Sequence, residues 1–303
     1  MRQATMRILV AGAQGQLARA LLGQAQGRSG FDVVALGRPQ LDLLDKASIS
    51  RAIDAARPDL VVNAAAYTAV DKAETDAAAA FAINRDGAGA LAAAARACGT
   101  PILHISTDFV FDGTKAEPYV ETDRANPIGV YARSKLAGEA AVAAANPRHL
   151  ILRTAWLFAP YGQNFLRTIL RLARERSQLR VVSDQWGNPT YAPHLADAIL
   201  AIATRLGGSR GEASAWGVYH AAASGETTWA GFAAAIVAAG ARLGVPRIPV
   251  IPITTPEYPL PAKRPANSRL DCSKLERTFG VRLPPWQQGV AECIAELQCI
   301  RAA

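Results

Sequence analysis

The chain has 303 residues, of which 50% are hydrophobic and 19% are charged, and its formal net charge is +8. This composition excludes a disordered or fibrous protein and favours an α/β enzyme with a generous core and two lobes. The positive charge suits an anionic small ligand such as a nucleotide. Lys and Arg form no run of five or more, so nucleic acid is not expected as a partner. No stretch reaches about 18 uncharged apolar residues, and a membrane partner is not expected either.

Along the first half of the chain, strand-like and helix-like patterns alternate. Five segments are apolar throughout: RILVAGA (7–13), FDVVALG (31–37), LVVNAAA (60–66), PILHIST (101–107) and HLILRTAWL (149–157). Strands of this kind belong in parallel sheets that are covered on both faces. Helical patterns start at Gln16, near Ser48 and near Asp76, and WGVYHAAASG (216–225) predicts one more central strand. We therefore predict an α/β fold with a doubly wound, Rossmann-type parallel sheet and a smaller C-terminal substrate-binding lobe.

The domain boundaries follow the change in character after Trp156. We assign residues 1–155, with a return of about 216–240, to a dinucleotide-binding domain. Residues 156–215 and 241–303 are assigned to the substrate-binding lobe. The proline-rich segment 246–268 must be extended or looped, which suits a lid or a pocket wall.

A glycine turn follows the first predicted strand, in the sequence VAGAQGQLARAL. Gly12 suits the tight turn, and Gly15 allows the backbone to approach a pyrophosphate at the helix N-terminus; the alternative is a plain strand-to-helix turn. The second strand ends in Gly37 and Arg38, with no acidic residue for the ribose hydroxyls. Arg38 suits a 2′-phosphate, which favours NADPH with NADH as the alternative; the structural alternative is an exposed arginine after a strand. Asp42 and Leu43 lie slightly further on and could frame the adenine.

The sequence GVYARSKLAGE (129–139) places Tyr131 and Lys135 four residues apart on a predicted helix. Positions i and i+4 share a helix face, and a nearby ammonium lowers the pKa of a phenol, so the pair is suited to give a proton to a developing alkoxide. The alternative is a solvated helix face. Ser106 and Thr107 end the strand before this helix, at the sheet edge where ligands bind, and the Thr107 hydroxyl would complete a Thr/Tyr/Lys set.

Seven segments together resemble the dTDP-4-dehydrorhamnose reductase family of the extended short-chain dehydrogenase/reductase superfamily. The match runs over almost the whole chain from Met6 to about Val290. Within it, RPANSRLD and the DQWGNPT loop are more specific than the glycine turn or the Tyr-x-x-x-Lys pattern. The seven segments are GAQGQLA, VVNAAAYTAVDKAE, HISTDFVFDG, NPIGVYARSKLAGE, LRTAWLF, DQWGNPTYA and RPANSRLDCSKLERTFGVRLPPWQQGV.

The resemblance implies reduction of the 4-keto group of dTDP-4-dehydro-6-deoxy-L-mannose by NAD(P)H, giving dTDP-L-rhamnose. By motif position, Tyr131 is the proton donor, Lys135 its pKa partner and ribose contact, and Thr107 the tuning hydroxyl. Asp108 and Trp156 become substrate contacts. The implied cofactor contacts are Gly15, Gln16 and Leu17 at the pyrophosphate, Asp42 and Leu43 at the adenosine, and Ala65, Ala66 and Tyr67 towards the nicotinamide.

The chain departs from the family pattern at three positions. Phe109 stands where the family commonly has tyrosine. Ala20 and Pro193 stand at positions corresponding to the glutamates through which some members bind magnesium between subunits. We therefore expect no bound metal. A homodimer would have to form through contacts that do not use that metal.

Other candidate groups have a structural interpretation. Asp71 and Glu74 in AVDKAE are expected to complement the dipole at their own helix N-terminus. His104 and His220 lie within strand-like runs and are expected to be hydrogen-bonded core groups. The four cysteines, which show no CxxC spacing, are expected to be reduced thiols of a cytoplasmic protein: Cys98, Cys272, Cys293 and Cys299.

Two other functions remain open on the residues alone. A nucleotide-sugar epimerase or dehydratase would share the fold and the Tyr/Lys pair, but a dehydratase needs an acid/base pair and STDFVF offers only Asp108. A non-catalytic NAD(P)-binding regulatory subunit would have no use for a proton donor, which the Thr107, Tyr131 and Lys135 set argues against.

Overall fold

The computed structural model describes residues 5–208 and 215–302. The predicted domain ranges also include residues 1–4, 209–214 and 303, which lie outside the described residues. Strands β1 to β12 span Met6–Ala11, Phe31–Leu36, Leu60–Asn63, Ile102–Thr107, His149–Thr154, Leu157–Phe158, Leu179–Val182, Trp186–Gly187, Thr190–Tyr191, Gly217–His220, Thr227–Thr228 and Val250–Ile253. Helices α1 to α11 span Gln16–Ala25, Lys46–Ala56, Val70–Ala73, Ala77–Phe81, Ala88–Ala97, Val130–Ala145, Phe165–Glu175, Ala192–Gly208, Trp229–Gly240, Ser273–Phe279 and Trp286–Ala302.

Within the described residues, six strands form one parallel sheet in the order β2-β1-β3-β4-β5-β10. The chain leaves β1 towards β2 on one side and later returns to β3 on the other, so the winding direction reverses between β1 and β3. Ligands of open parallel sheets bind in the crevice at the carboxyl ends of the strands beside such a reversal. The predicted doubly wound, Rossmann-type sheet is confirmed, and its crevice lies where the sequence motifs emerge.

Successive side chains of β1 point to opposite layers of the molecule. Ile8 and Val10 pack in the cluster that contains α1 and α8, whereas Leu9 and Ala11 pack in the cluster that contains α2 and α5. All four are fully buried. Helices on both faces explain why the strand is apolar throughout instead of alternating with polar residues.

The helices after β5 divide between the sheet and a second hydrophobic cluster. Leu195, Ile199 and Ile202 of α8 pack in the same cluster as α1, on the sheet. Helices α7, α9 and α11 instead pack together around Phe232. Residues 192–208 therefore belong with the sheet and 229–240 with the second cluster, the reverse of their predicted assignment. Hydrophobicity shows that a helix is buried, but not against which surface.

The helix predicted from Asp76 to Ala97 contains a wide turn. Helix α4 continues through a π-helical segment, Ala82–Gly87, into α5. Such segments are frequent at functional sites. Asn84 lies in this segment, and a Cβ atom at Gly138 of α6 would collide with the Asn84 carbonyl group. The glycine thus allows α6 to approach this segment closely. None of the described helices is long and apolar enough to cross a membrane.

Candidate active site

The glycine turn between β1 and α1 is built as its sequence predicts. Gly12 has φ +100°, which favours glycine, and a Cβ atom there would lie 3.0 Å from the backbone of Ala65. Gly15 is the N-cap of α1, with no side-chain hydrogen bond to the first turn. The N–H groups of that turn therefore lack a capping partner and suit an anion such as a pyrophosphate.

A cavity of about 1240 Å³ opens beside this turn at the carboxyl edge of the sheet. It is lined by most of the residues that the sequence predicted at the site, and so by segments far apart in the chain. The predicted residues in its lining are Gly12, Gly15, Gln16, Leu17, Arg38, Asp42, Leu43, Ala65, Ala66, Thr107, Asp108, Tyr131, Lys135 and Trp156.

Tyr67 is the predicted contact that the structure places elsewhere. It is not part of the cavity lining, because its hydroxyl donates to Asp76 Oδ2 at 3.1 Å. Its backbone is held by Asn84, whose Oδ1 accepts from the Tyr67 N–H at 2.8 Å and whose Nδ2 donates to the Tyr67 carbonyl at 3.0 Å. The loop therefore presents Ala65 and Ala66 to the cavity and turns the phenol towards α4. The interpretation of Tyr67 as a lining residue is corrected accordingly.

Tyr131 and Lys135 lie one turn apart on α6 and both line the cavity. The Lys135 ammonium donates to the Ile105 carbonyl at 2.7 Å and lies 3.3 Å from His104 Nε2. Burial lowers the pKa of Lys135 to about 8, and the charge of Glu139 opposes this shift. Most of the Lys135 side chains are therefore still charged at neutral pH.

The phenol of Tyr131 does not show the expected lowered pKa. Burial raises its pKa to about 12; the Thr107 hydroxyl opposes the rise and the charge of Asp108 adds to it. The ordinary value is about 10. Desolvation of the phenolate is the largest effect on this pKa, so the lowering expected from Lys135 is not seen. At neutral pH the phenol keeps its proton, as a proton donor requires.

Thr107 and Asp108 follow directly at the end of β4. Thr107 Oγ1 donates to Asp108 Oδ1 at 3.0 Å and accepts from the Phe109 N–H at 3.2 Å. Burial raises the pKa of Asp108 to about 7, and the nearby Ser268 and Thr107 hydroxyls oppose the rise. Phe109, which replaces the family's usual tyrosine, lies edge-on to the Tyr131 ring with centroids 6.4 Å apart.

Three buried polar atoms of the cavity lining have no hydrogen-bond partner among the described residues: Asp108 Oδ2, Thr154 Oγ1 and Trp156 Nε1. Buried polar atoms normally pair, so unpaired ones that face a cavity favour a polar ligand there. Trp156 has φ +46° and stacks on Trp229 with ring centroids 3.5 Å apart. Sequence reasoning missed Thr154. The signal was a hydroxyl residue at the carboxyl end of HLILRT, the strand after the one that ends in Thr107.

The acidic residues of AVDKAE are both bonded to distant segments of the chain. Asp71 forms a bidentate ion pair with Arg264 of the proline-rich segment, at 2.8 and 3.1 Å. Glu74 Oε1 accepts from the Val130 N–H at 2.8 Å, at the start of α6. Asp71 lies in the first turn of α3, as expected for a residue that complements the helix dipole, whereas Glu74 lies at the C-terminal end of that helix, where it does not. Glu74 instead caps the helix that carries Tyr131.

Three other positions named in the sequence analysis, Ala20, Pro193 and His220, lie in α1, α8 and β10. Ala20 is buried in α1 within the cluster that contains α8, where Pro193 lies at the first turn. His220 Nδ1 lies 3.1 Å from the backbone carbonyls of Tyr119 and Asp271, whereas its Nε2 has no partner among the described residues. The hydrogen-bonded core assignment therefore holds for one of its two nitrogens.

A sheet crevice that combines a glycine turn with a Tyr-x-x-x-Lys helix defines the class of Rossmann-type NAD(P)-dependent oxidoreductases. Residues 6–299 match the family described as RmlD substrate binding domain. The chain belongs to this family, that of the dTDP-4-dehydrorhamnose reductases.

Relatives match over nearly their full length. The chain is 50% identical to a dTDP-4-dehydrorhamnose reductase of Sinorhizobium fredii over 289 residues, covering 95% of this chain and 97% of the relative. It is 48% identical to the Burkholderia thailandensis enzyme of that name, covering 96% and 99%. Among solved structures, a dTDP-4-dehydrorhamnose reductase of Clostridium acetobutylicum has a TM-score of 0.88 at 38% identity, covering 97% and 100%. The Bacillus anthracis enzyme in complex with NADP has a TM-score of 0.86 at 32% identity, covering 96% and 99%.

Proposed function

We propose that this chain reduces the 4-keto group of dTDP-4-dehydro-6-deoxy-L-mannose with NAD(P)H and so forms dTDP-L-rhamnose. One observation carries the proposal: Thr107 of β4, and Tyr131 and Lys135 of α6, share a cavity with the glycine turn between β1 and α1. The names of the relatives support the same reaction.

The residues around the glycine turn fit a dinucleotide. Gly12, Gly15, Gln16 and Leu17 would hold the pyrophosphate at the N-terminus of α1, where the N–H groups have no capping side chain. Asp42 and Leu43 would contact the adenosine, and Ala65 and Ala66 would line the path to the nicotinamide. Bound NAD(P)H supplies the hydride. Arg38, exposed at the rim of the cavity, favours NADPH over NADH.

The phenol of Tyr131 supplies the proton. With a pKa near 12 it is protonated at neutral pH, and it can release the proton once negative charge develops on the substrate oxygen. The Thr107 hydroxyl opposes the rise in that pKa, which supports its role as the tuning hydroxyl. Lys135 is the neighbouring cation and the ribose contact. Its charge stabilises a phenolate left after proton transfer.

The sugar side of the cavity carries the unpaired groups. Asp108 Oδ2 and Trp156 Nε1 are buried with no partner in the part of the chain that the structure describes, and a nucleotide-sugar offers hydroxyl groups to both. We assign the substrate-binding lobe to the second hydrophobic cluster together with the proline-rich segment that Asp71 holds through Arg264. The proposal keeps a small molecule as the partner, a cytoplasmic location, and a homodimer that needs no metal.

A spectrophotometric assay of purified protein tests the proposal. Oxidation of NADPH, and separately of NADH, is followed with and without dTDP-4-dehydro-6-deoxy-L-mannose, and the sugar product is identified. We expect consumption of reductant only when the ketosugar is present, with dTDP-L-rhamnose as product. Protein that carries tightly bound NAD and converts a nucleotide-sugar without added reductant would support an epimerase instead. Binding of NADPH without any turnover would support a regulatory subunit.

A further inference from the structure

His104 is a fully buried group for which the proposed mechanism has no use. It lies in β4, opposite Asn63 of the neighbouring strand β3. Its Nδ1 is 3.0 Å from Asn63 Nδ2, and its Nε2 is 3.3 Å from the Lys135 ammonium nitrogen. The ring therefore bridges the sheet and the proposed catalytic helix.

The amide of Asn63 has one orientation that satisfies both of its neighbours. Its Oδ1 accepts from the Ala65 N–H at 3.2 Å, so its Nδ2 faces the ring of His104. An amide nitrogen only donates, and His104 Nδ1 must therefore accept. The ring is then neutral and carries its proton on Nε2. Burial lowers the pKa of His104 well below its ordinary value, which agrees with a neutral ring.

The Nε2–H group of this tautomer meets Lys135. An ammonium group has three donors and no acceptor, whereas a neutral amine has a lone pair that can accept. The hydrogen bonds from Asn63 through His104 to Lys135 are therefore all satisfied only when Lys135 is uncharged. A charged Lys135 meets another donor at this contact, although it keeps its bond to the Ile105 carbonyl.

The other charged groups near Lys135 do not stabilise its uncharged form in the way that His104 does. Glu139 is the nearest anion on α6, but it forms a bidentate ion pair with Arg153 of β5 and accepts from the Ser106 hydroxyl. Two further ionisable groups lie near Lys135: the Asp108 carboxyl at the end of β4 and the Tyr131 phenol on α6. From the segments packed against α6, Glu74 is bound to Val130, and Arg85 pairs with Asp86.

We propose that His104, oriented by Asn63, is a positioning residue that stabilises the uncharged form of Lys135 and so sets the upper pH limit of catalysis. The inference rests on the proposed function, because it assumes that turnover needs the Lys135 charge. His104 itself touches neither of the proposed ligands. It acts only through Lys135.

The tautomer can be measured without any activity. Nitrogen-15 NMR of labelled wild-type protein reports which ring nitrogen carries the proton, and the signal of His104 is the one that His104→Gln removes from the four histidines. We expect a neutral ring protonated at Nε2 throughout the neutral range. A ring protonated at Nδ1, or at both nitrogens, overturns the inference and leaves the reductase proposal untouched.

The pH profile tests the consequence. In His104→Gln the side-chain carbonyl can accept from the Lys135 ammonium, which favours the charged form of Lys135. The pH at which kcat falls on the alkaline side should therefore rise by about one unit, the effect of one such hydrogen bond. His220→Gln, which replaces another buried histidine, leaves that pH in place. Superimposable profiles for His104→Gln and wild type overturn the inference. If His104→Gln does not fold, the tautomer of His104 in the wild-type protein decides whether the inference stands. If the wild-type protein does not reduce the ketosugar, the proposed function has failed independently of this inference.

Discussion

Thr107 and Thr154 lie opposite each other in the neighbouring parallel strands β4 and β5, as the last residue of each strand. Thr107 is bonded to Asp108 and Phe109, whereas the Thr154 hydroxyl is buried against the cavity with no partner within residues 5–208 and 215–302. This edge of the sheet therefore offers one hydroxyl fixed by the protein and one available to a ligand.

Thr154→Val should weaken ligand binding without disturbing the fold. Valine keeps the shape of threonine and removes a hydroxyl that no described residue binds. Losing one ligand hydrogen bond of about 0.5–1.5 kcal/mol predicts a rise of about 2- to 13-fold in KM for the ketosugar or in Kd for NADPH. Steady-state kinetics and a fluorescence titration measure the two. Thr204→Val, on α8, serves as the matched control. Unchanged KM and Kd in Thr154→Val would show that no ligand uses this hydroxyl.

Arg38→Ala should reduce the preference for NADPH. The guanidinium lies at the cavity rim where the 2′-phosphate is proposed to bind. The loss of one charge-assisted hydrogen bond, about 1.5–3 kcal/mol, predicts a fall of at least tenfold in kcat/KM for NADPH with little change for NADH. Arg51→Ala, an exposed arginine of α2, controls for the loss of positive charge. Equal losses with both reductants would remove Arg38 from the phosphate site.

Glu74→Ala should destabilise the protein through α6. The carboxylate accepts from the Val130 N–H, the group next to Tyr131 in the chain. Loss of such a cap costs about 1 kcal/mol of the free energy of unfolding, which urea unfolding can resolve. Glu175→Ala, which breaks an exposed i,i+4 pair with Arg171, should cost only about 0.3–0.5 kcal/mol. Similar losses in the two variants would mean that the Glu74 cap contributes no more than a surface pair.

Asp108 should make the ligand-free protein less stable as pH rises. Burial raises its pKa to about 7, above the ordinary value of about 4, so the folded state binds the proton more tightly than the unfolded chain does. The contribution of protonated Asp108 to the free energy of unfolding is fully present below about pH 4 and is lost as pH rises through about 7. In urea unfolding, the wild-type protein should lose about 1–3 kcal/mol of its free energy of unfolding between pH 5 and 8, and Asp108→Asn should not show this loss. Asp54→Asn, an exposed carboxylate, is the control. A pH dependence that persists in Asp108→Asn would assign the loss to other groups.

The parts of the site that follow from local patterns were predictable from sequence. The glycine turn was predictable because Gly12 and Gly15 directly follow an apolar strand. Tyr131 and Lys135 were predictable because helix periodicity alone puts them on one face. The carboxyl edge of a parallel sheet then brought Thr107 to the same place.

The parts that depend on register and on distant contacts were not predictable. Asn63 and His104 are neighbours only because β3 and β4 pair in one register, and a single-residue shift would separate them. Glu74 caps a helix that starts at Val130, and no local pattern links the two residues. Tyr67 is turned away by Asn84, which the π-helical segment places beside it.

The most direct test of the central claim is the kcat of Tyr131→Phe with NADPH and dTDP-4-dehydro-6-deoxy-L-mannose, measured together with the Kd for NADPH. Loss of the proton donor predicts a fall of about 10²- to 10⁴-fold in kcat while the Kd stays close to that of wild type. Tyr219→Phe, at a buried tyrosine outside the cavity lining, should match wild type in both. Full turnover by Tyr131→Phe would contradict the account, because the proton would then come from another group.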